Sequence, residues 1–153
     1  MIQIVKDSDT RPWFFLQTAH TTYGMWVMET GHLEHLYYGE RITVDSQDPS
    51  SCTPLVIQRA FAPGNTCTYD REHPQISMED VCLEVGTLGK GDIRDPFLEV
   101  RFADGSVTTD FTFVSYKVFT LREKEQCLQA SGLPRSYSEA ETDSAECLQI
   151  VLQ

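Results

Sequence analysis

Thr22-Tyr23-Gly24-Met25-Trp26-Val27-Met28-Glu29-Thr30-Gly31-His32-Leu33-Glu34-His35-Leu36-Tyr37-Tyr38 decides the fold class. Tyr23, Met25 and Val27 recur at every second position, the period of a strand with one buried face. Aromatic and β-branched side chains suit such a pleated surface. Gly31 interrupts the pattern and Leu33–Tyr38 resumes it. The segment therefore predicts a β-hairpin with its turn around Glu29-Thr30-Gly31-His32.

The flanking sequence repeats this character. Ile2–Val5 and Trp13–Thr18 read as strands upstream. Downstream, Phe97–Phe102 reads as a strand, followed by the turn Ala103-Asp104-Gly105-Ser106, where Asp-Gly tolerates positive φ. Val107–Phe119 alternates over its whole length, and so does Ala145–Gln153. Leu121–Gln129 reads as one or two helical turns or a loop. No amphipathic helix of 12 residues or more stands out. Many short strands with Gly-rich turns predict an all-β antiparallel sandwich. A strand as long as Val107–Phe119 points to an extended sheet rather than a small barrel.

Gly39–Gly91 breaks the regularity. Asp48-Pro49-Ser50-Ser51 and Pro63-Gly64-Asn65 are loop signals. A stretch so long and irregular is expected to be functional or to pack on something else. Ala145–Gln153 ends within a strand pattern, which predicts further chain beyond it.

The 153 residues fit one domain, and 41% apolar content is globular. The formal charge of −11 argues against a nucleic-acid backbone and an anionic membrane surface as partners. The five cysteines, Cys52, Cys67, Cys82, Cys127 and Cys147, contain no C-x-x-C pair. Together with a start that lacks the pattern of a secretory leader, they predict reduced thiols and a cytoplasmic protein.

No complete catalytic constellation is legible. His32 and His35 are three apart, which places them on opposite faces of a strand and disfavours a shared metal ion. Cys82 lies among Glu79, Asp80 and Glu84, which disfavour a thiolate, so a buried inert thiol is expected. Asp104 is explained by its turn and Asp92 by its loop. Asp95, Glu99 and Asp110 show no spacing that forces an acid–base pair. Gly86-Thr87-Leu88-Gly89-Lys90-Gly91 lacks the Lys-Ser/Thr pair and helix of a phosphate cradle, and reads as a flexible loop. Trp26, Tyr37, Tyr38, Phe61 and Tyr69 are aromatics that serve equally as sandwich core or as faces for sugar rings.

Six segments in order carry a resemblance. They are Thr30-Gly31-His32-Leu33-Glu34-His35-Leu36-Tyr37-Tyr38-Gly39, then Gln58-Arg59-Ala60-Phe61-Ala62-Pro63-Gly64-Asn65, then Leu83 to Pro96. Ala103-Asp104-Gly105-Ser106, Thr109 to Phe119 and Gly132-Leu133-Pro134-Arg135-Ser136-Tyr137 complete the set. Together they resemble the N-terminal domain of the α-galactosidases of glycoside hydrolase family 36. The chain departs from the family at Glu84-Val85-Gly86, at Ile93 and at Ser115-Tyr116.

The resemblance implies a β-supersandwich of the galactose-mutarotase-like type, preceding a catalytic (β/α)8 barrel. The implied parent is a retaining glycosidase acting on terminal α-galactosides such as melibiose or raffinose. Its two catalytic aspartates would lie in the barrel, so no catalytic residue, metal or cofactor is expected here. The resemblance also implies a homo-oligomer, a tetramer in bacterial members. There, a loop of this domain lines the sugar pocket of a neighbouring subunit. The corresponding positions are Gln58, Arg59 and Phe61, with Arg71 following. Gln58 stands where the family often has Asp; it can still hydrogen-bond a hydroxyl, without charge. The alternative expectation is a free-standing carbohydrate-binding or interaction module built on Trp26, Tyr38 and Phe61.

Overall fold

The computed structural model describes residues 1–6, 11–57, 68–89, 96–120 and 146–153. Strands β1 (Ile2–Lys6), β2 (Pro12–Gln17), β3 (Thr21–Val27) and β4 (Leu33–Glu40) form an antiparallel sheet in that order. Strands β5 (Phe113–Thr120) and β6 (Glu146–Leu152) form a second, two-stranded antiparallel sheet. The expected hairpin is β3–β4. Its turn closes by Met28 N–H donating to His32 O at 2.8 Å and Gly31 N–H to Met28 O at 2.9 Å. Gly31 takes φ +83°, which no other residue type adopts cheaply.

β2 reads Pro-Trp-Phe-Phe-Leu-Gln because it is covered on both faces. On one face Phe14 joins Met25, Val27 and Leu33, and β5 and β6 lay Phe113, Tyr116, Leu148 and Ile150 over them. Phe14 meets the Tyr116 ring edge-on at 5.2 Å. On the other face Trp13, Phe15 and Val5 pack on Val44 and Cys52, with Ile42, Leu55 and Val56 around them. A 3-10 helix, Pro49–Leu55, carries Cys52 there; Asp48 caps it by accepting from Ser50 N–H. The antiparallel all-β sandwich anticipated from periodicity is the observed fold.

A register shift falls between Gly24 and Met25, where Tyr23 pairs with Tyr38 but Met25 pairs with His35. Such a bulge adds one residue to one strand and re-aims its side chains. It brings His35 and Tyr38, three apart, to the same side: their rings lie 4.9 and 6.0 Å from the ring of Tyr23.

Several expectations are revised. Phe97–Phe102 is not a strand; it has one bridge, Leu98 to Thr87, and Phe97 is 79% exposed. Among the described residues, no strand lies alongside to pair with it. Val107–Phe119 is a strand only from Phe113, because the preceding residues are drawn aside. Thr109 N–H donates to Leu88 O at 3.0 Å, and Phe113 N–H to Gly31 O at 2.8 Å. Residues 86–89 are accordingly not a flexible loop: the buried Thr87 hydroxyl donates to Thr109 O at 2.9 Å. Lys90, Gly91, Asp92 and Asp95 lie outside the described residues, as does Leu121–Gln129. Cys82 is exposed, not buried. It sits on an added edge, where His35 N–H donates to Cys82 O and Glu84 N–H to Leu33 O. The Ala103–Ser106 turn forms as read, with Gly105 at φ +87°. Asp104 does not take positive φ; its carboxylate instead accepts from Ser106 N–H and Oγ–H at 2.9 and 2.7 Å.

Candidate functional site

Of the four residues expected to line a sugar pocket, Gln58, Arg59 and Phe61 lie outside the described residues. Arg71 is described, and it is exposed in the turn after Tyr69. The described chain flanks residues 58–67 on both sides. On the upstream side, Leu55 and Val56 pack on the Trp13 core, and Val56 N–H donates to Thr53 O at 3.1 Å. Ile57 follows and lines a cavity of about 220 Å³ with Trp26, Met28, Gln75 and Ile76. On the downstream side, Tyr69 packs with Met28, Ile76 and Met78, and its N–H donates to Ile76 O at 2.8 Å. Both stems therefore converge on Met28 and Ile76.

The turn between the stem and Ile76 is organised by Asp70. Its carboxylate accepts from the backbone N–H groups of Glu72 and His73, and His73 Nδ1 lies 2.9 Å away. The His73 side-chain bond, followed by the backbone bonds, holds the Asp70 carboxyl below its usual range. Arg71 projects from this turn.

A buried polar network secures Tyr69 itself. Its hydroxyl donates to Asp110 Oδ2 at 2.9 Å. The other oxygen of Asp110 is 2.7 Å from Nε2 of the buried His32, whose Nδ1 is 2.9 Å from Thr30 Oγ1. A neutral imidazole satisfies both partners: Nε2–H donates to the carboxylate, and Nδ1 accepts from the threonine. The Tyr69 ring stands edge-on to His32 at 5.0 Å. Burial, then the Asp110 bond, pushes the Tyr69 phenol up to about 12, so it remains a donor at neutral pH.

A second tyrosine–carboxylate–histidine group braces the added edge. Tyr23 O–H donates to Glu84 at 2.6 Å, and His35 Nδ1 lies 3.1 Å from the same carboxylate. Burial and Glu84 raise the Tyr23 phenol well above its usual value. His32 and His35 thus serve two different carboxylates. Among the described residues, no three His, Cys, Asp or Glu side chains converge as a metal site. Glu34 is fully buried under the sheet, accepting from Trp26 Nε1–H at 2.8 Å. Trp26 is therefore part of the packed interior, whereas Tyr38 is 71% exposed.

Sequence reading singled out His32, Asp110 and Tyr69 separately. It missed their association because they are 41 and 78 residues apart. Spacing carries no signal over such separations.

The Glycosyl hydrolase family 36 N-terminal domain model matches residues 31–153. The chain belongs to this family. The bifunctional α-galactosidase/sucrose kinase AgaSK of Mediterraneibacter gnavus is 37% identical over 141 residues, which is 91% of this chain and 14% of that protein. α-Galactosidase AgaA of Geobacillus stearothermophilus is 30% identical over 139 residues, 91% of this chain and 17% of that protein. The solved galactosidase domain of AgaSK covers 99% of this chain with a TM-score of 0.74 and 29% identity, and the match spans 19% of that structure. The family 36 domain described here thus spans less than a fifth of each relative's length.

Proposed function

We propose that this domain is the N-terminal accessory part of an α-galactosidase that hydrolyses terminal α-galactosides such as those of melibiose and raffinose. It packs on a following catalytic barrel and assembles into a cytoplasmic homo-oligomer. Gln58, Arg59, Phe61 and Arg71 line the sugar pocket of a neighbouring subunit. One observation carries the reading: residues 31–153 match the family model, and relatives matched over nine-tenths of the chain are α-galactosidases several times longer. The convergence of both stems on Met28 and Ile76 supports the pocket-lining part, because it presents the exposed Arg71 from a packed base. Free thiols at Cys52, Cys82 and Cys147, one of them exposed, favour a reducing compartment.

The full-length protein carrying this domain is expected to release galactose from raffinose and melibiose. Turnover confined to sugars without a terminal α-galactosyl unit would overturn the assignment. A second reading, a free-standing carbohydrate-binding module, rests on the exposed Tyr38 ring. Titrating the isolated domain with raffinose separates the two: binding lost in Tyr38→Ala favours the module, and no binding favours the accessory role.

A further inference from the structure

Single apolar side chains scattered over a surface are ordinary in folded proteins. Phe97, Leu98 and Phe102 are not scattered: they share one short segment and are 79, 38 and 47% exposed. None of the three joins an apolar cluster of the described residues. The backbone that carries them is nonetheless fastened at both ends. Leu98 N–H donates to Gly86 O at 3.2 Å, and Leu98 O accepts from Leu88 N–H at 3.4 Å. Phe102 N–H donates to Ser106 O at 2.9 Å, and Phe102 O accepts from Gly105 N–H at 3.0 Å. Residues 87 and 88 are tied in turn to Thr109, through the Thr87 hydroxyl and the Leu88 carbonyl. Bare aromatic side chains on an ordered backbone are prepared for docking, because the ordering cost is met before a partner arrives. The exposed Glu99, Arg101 and Asp104 supply the polar surround of such a surface.

We propose that Phe97, Leu98 and Phe102 form the surface on which the parent chain beyond residue 153 docks. This rests on the part of the reading above in which a longer chain follows the domain. The relatives carry the matched region within one polypeptide, of which it spans 14% in AgaSK and 19% in the solved galactosidase domain. A partner in the same chain is tethered and present at any dilution, which a second copy is not. It covers the aromatics whenever the protein is complete, whereas a patch left open invites association. The facing surface is apolar, because a lone charge set against Phe97 would lose its water without gaining a partner.

The experiment places the photoreactive residue benzoylphenylalanine at Phe97, at Phe102 and, as a control, at the exposed His20 between β2 and β3, each in the full-length protein. After irradiation, denaturing gels separate adducts within one chain, which keep its mass, from adducts between chains, which double it. Peptide mapping then locates the attachment. The probes at Phe97 and Phe102 are expected to attach within the chain, to residues beyond 153, and the probe at His20 is not. Attachment between chains would give the surface to a second copy and overturn the proposal. So would adducts confined to residues 1–153, no adducts at all, or equal yields from His20. Should one probe prevent folding, the other decides alone. Galactose release from raffinose by the unsubstituted protein is measured alongside. Its absence would remove the α-galactosidase reading, while adducts beyond residue 153 would still uphold the docking surface.

Discussion

At the residue scale, two neighbouring indoles test how polar groups are settled inside this sandwich. The rings of Trp13 and Trp26 are 4.7 Å apart. Trp26 donates its N–H to the buried Glu34. The buried Trp13 N–H finds no acceptor among the described residues. A donor to a buried carboxylate matters more than an N–H that has already lost its water. Trp26→Phe is therefore expected to destabilise the domain by about 2 kcal/mol, and Trp13→Phe by clearly less, although Trp13 is the more buried ring. Urea unfolding of both variants measures this, and an equal or larger loss for Trp13→Phe would refute the argument. Neither role was legible in the sequence. Trp13 read only as a strand residue and Trp26 as either core or a face for a sugar ring, because the acceptor is reached across a strand pair, and pairing partners are not written in local spacing.

At the element scale, the two turns make a matched pair. Gly31 and Gly105 have nearly the same positive φ, +83° and +87°. A Cβ at Gly31 would come within 3.2 Å of Thr112 Cβ, whereas one at Gly105 would meet nothing within 4 Å. Alanine at either pays the left-handed backbone cost of about 1–2 kcal/mol. Gly31→Ala adds a clash in a turn that carries His32, so its loss is expected to exceed that of Gly105→Ala by about 1 kcal/mol or more. Thermal unfolding of the two variants gives the difference; equal losses would mean the turn yields freely. β1, β3, β4 and β6 were legible because apolar residues recur on a covered face, and β2 because it is an apolar run covered on both faces. Phe97–Phe102 alternates as well, yet makes no strand, and the register shift at Gly24 had no signal at all. Alternation reports what a strand needs, not whether a partner lies alongside to receive its backbone bonds.

At the scale of the whole molecule, the raised phenols make stability depend on alkaline pH. Tyr69 is pushed from its usual value near 10 to about 12, chiefly by burial and then by Asp110. Tyr23 is raised for the same reasons, with Glu84 in place of Asp110. The unfolded phenols ionise first, so this stabilisation is complete below about pH 10 and disappears as pH climbs through the folded values. The unfolding midpoint is expected to hold from neutrality to about pH 9 and to fall beyond pH 10. Tyr69→Phe should make that fall shallower; an unchanged slope would show that Tyr69 does not titrate late. The sandwich class was readable from composition and periodicity, and the ordered motifs pointed to the family. The site was readable only as a list of residue types. What joins Tyr69, Asp110 and His32 is the docking of one sheet on another, which no local pattern encodes.

That docking also orders events in time. Phe14 lies near the start of the chain, and the Leu148 and Ile150 side chains that cover it are more than a hundred residues later. At a synthesis rate of about 5–20 residues per second, the inner face of the first sheet would wait roughly 7–25 seconds on the ribosome before its cover emerged. The other face, capped by residues 42–56, would close far sooner. The nascent domain is thus half-finished for most of its synthesis, with its Phe14–Met25–Val27 surface the last to be fully covered.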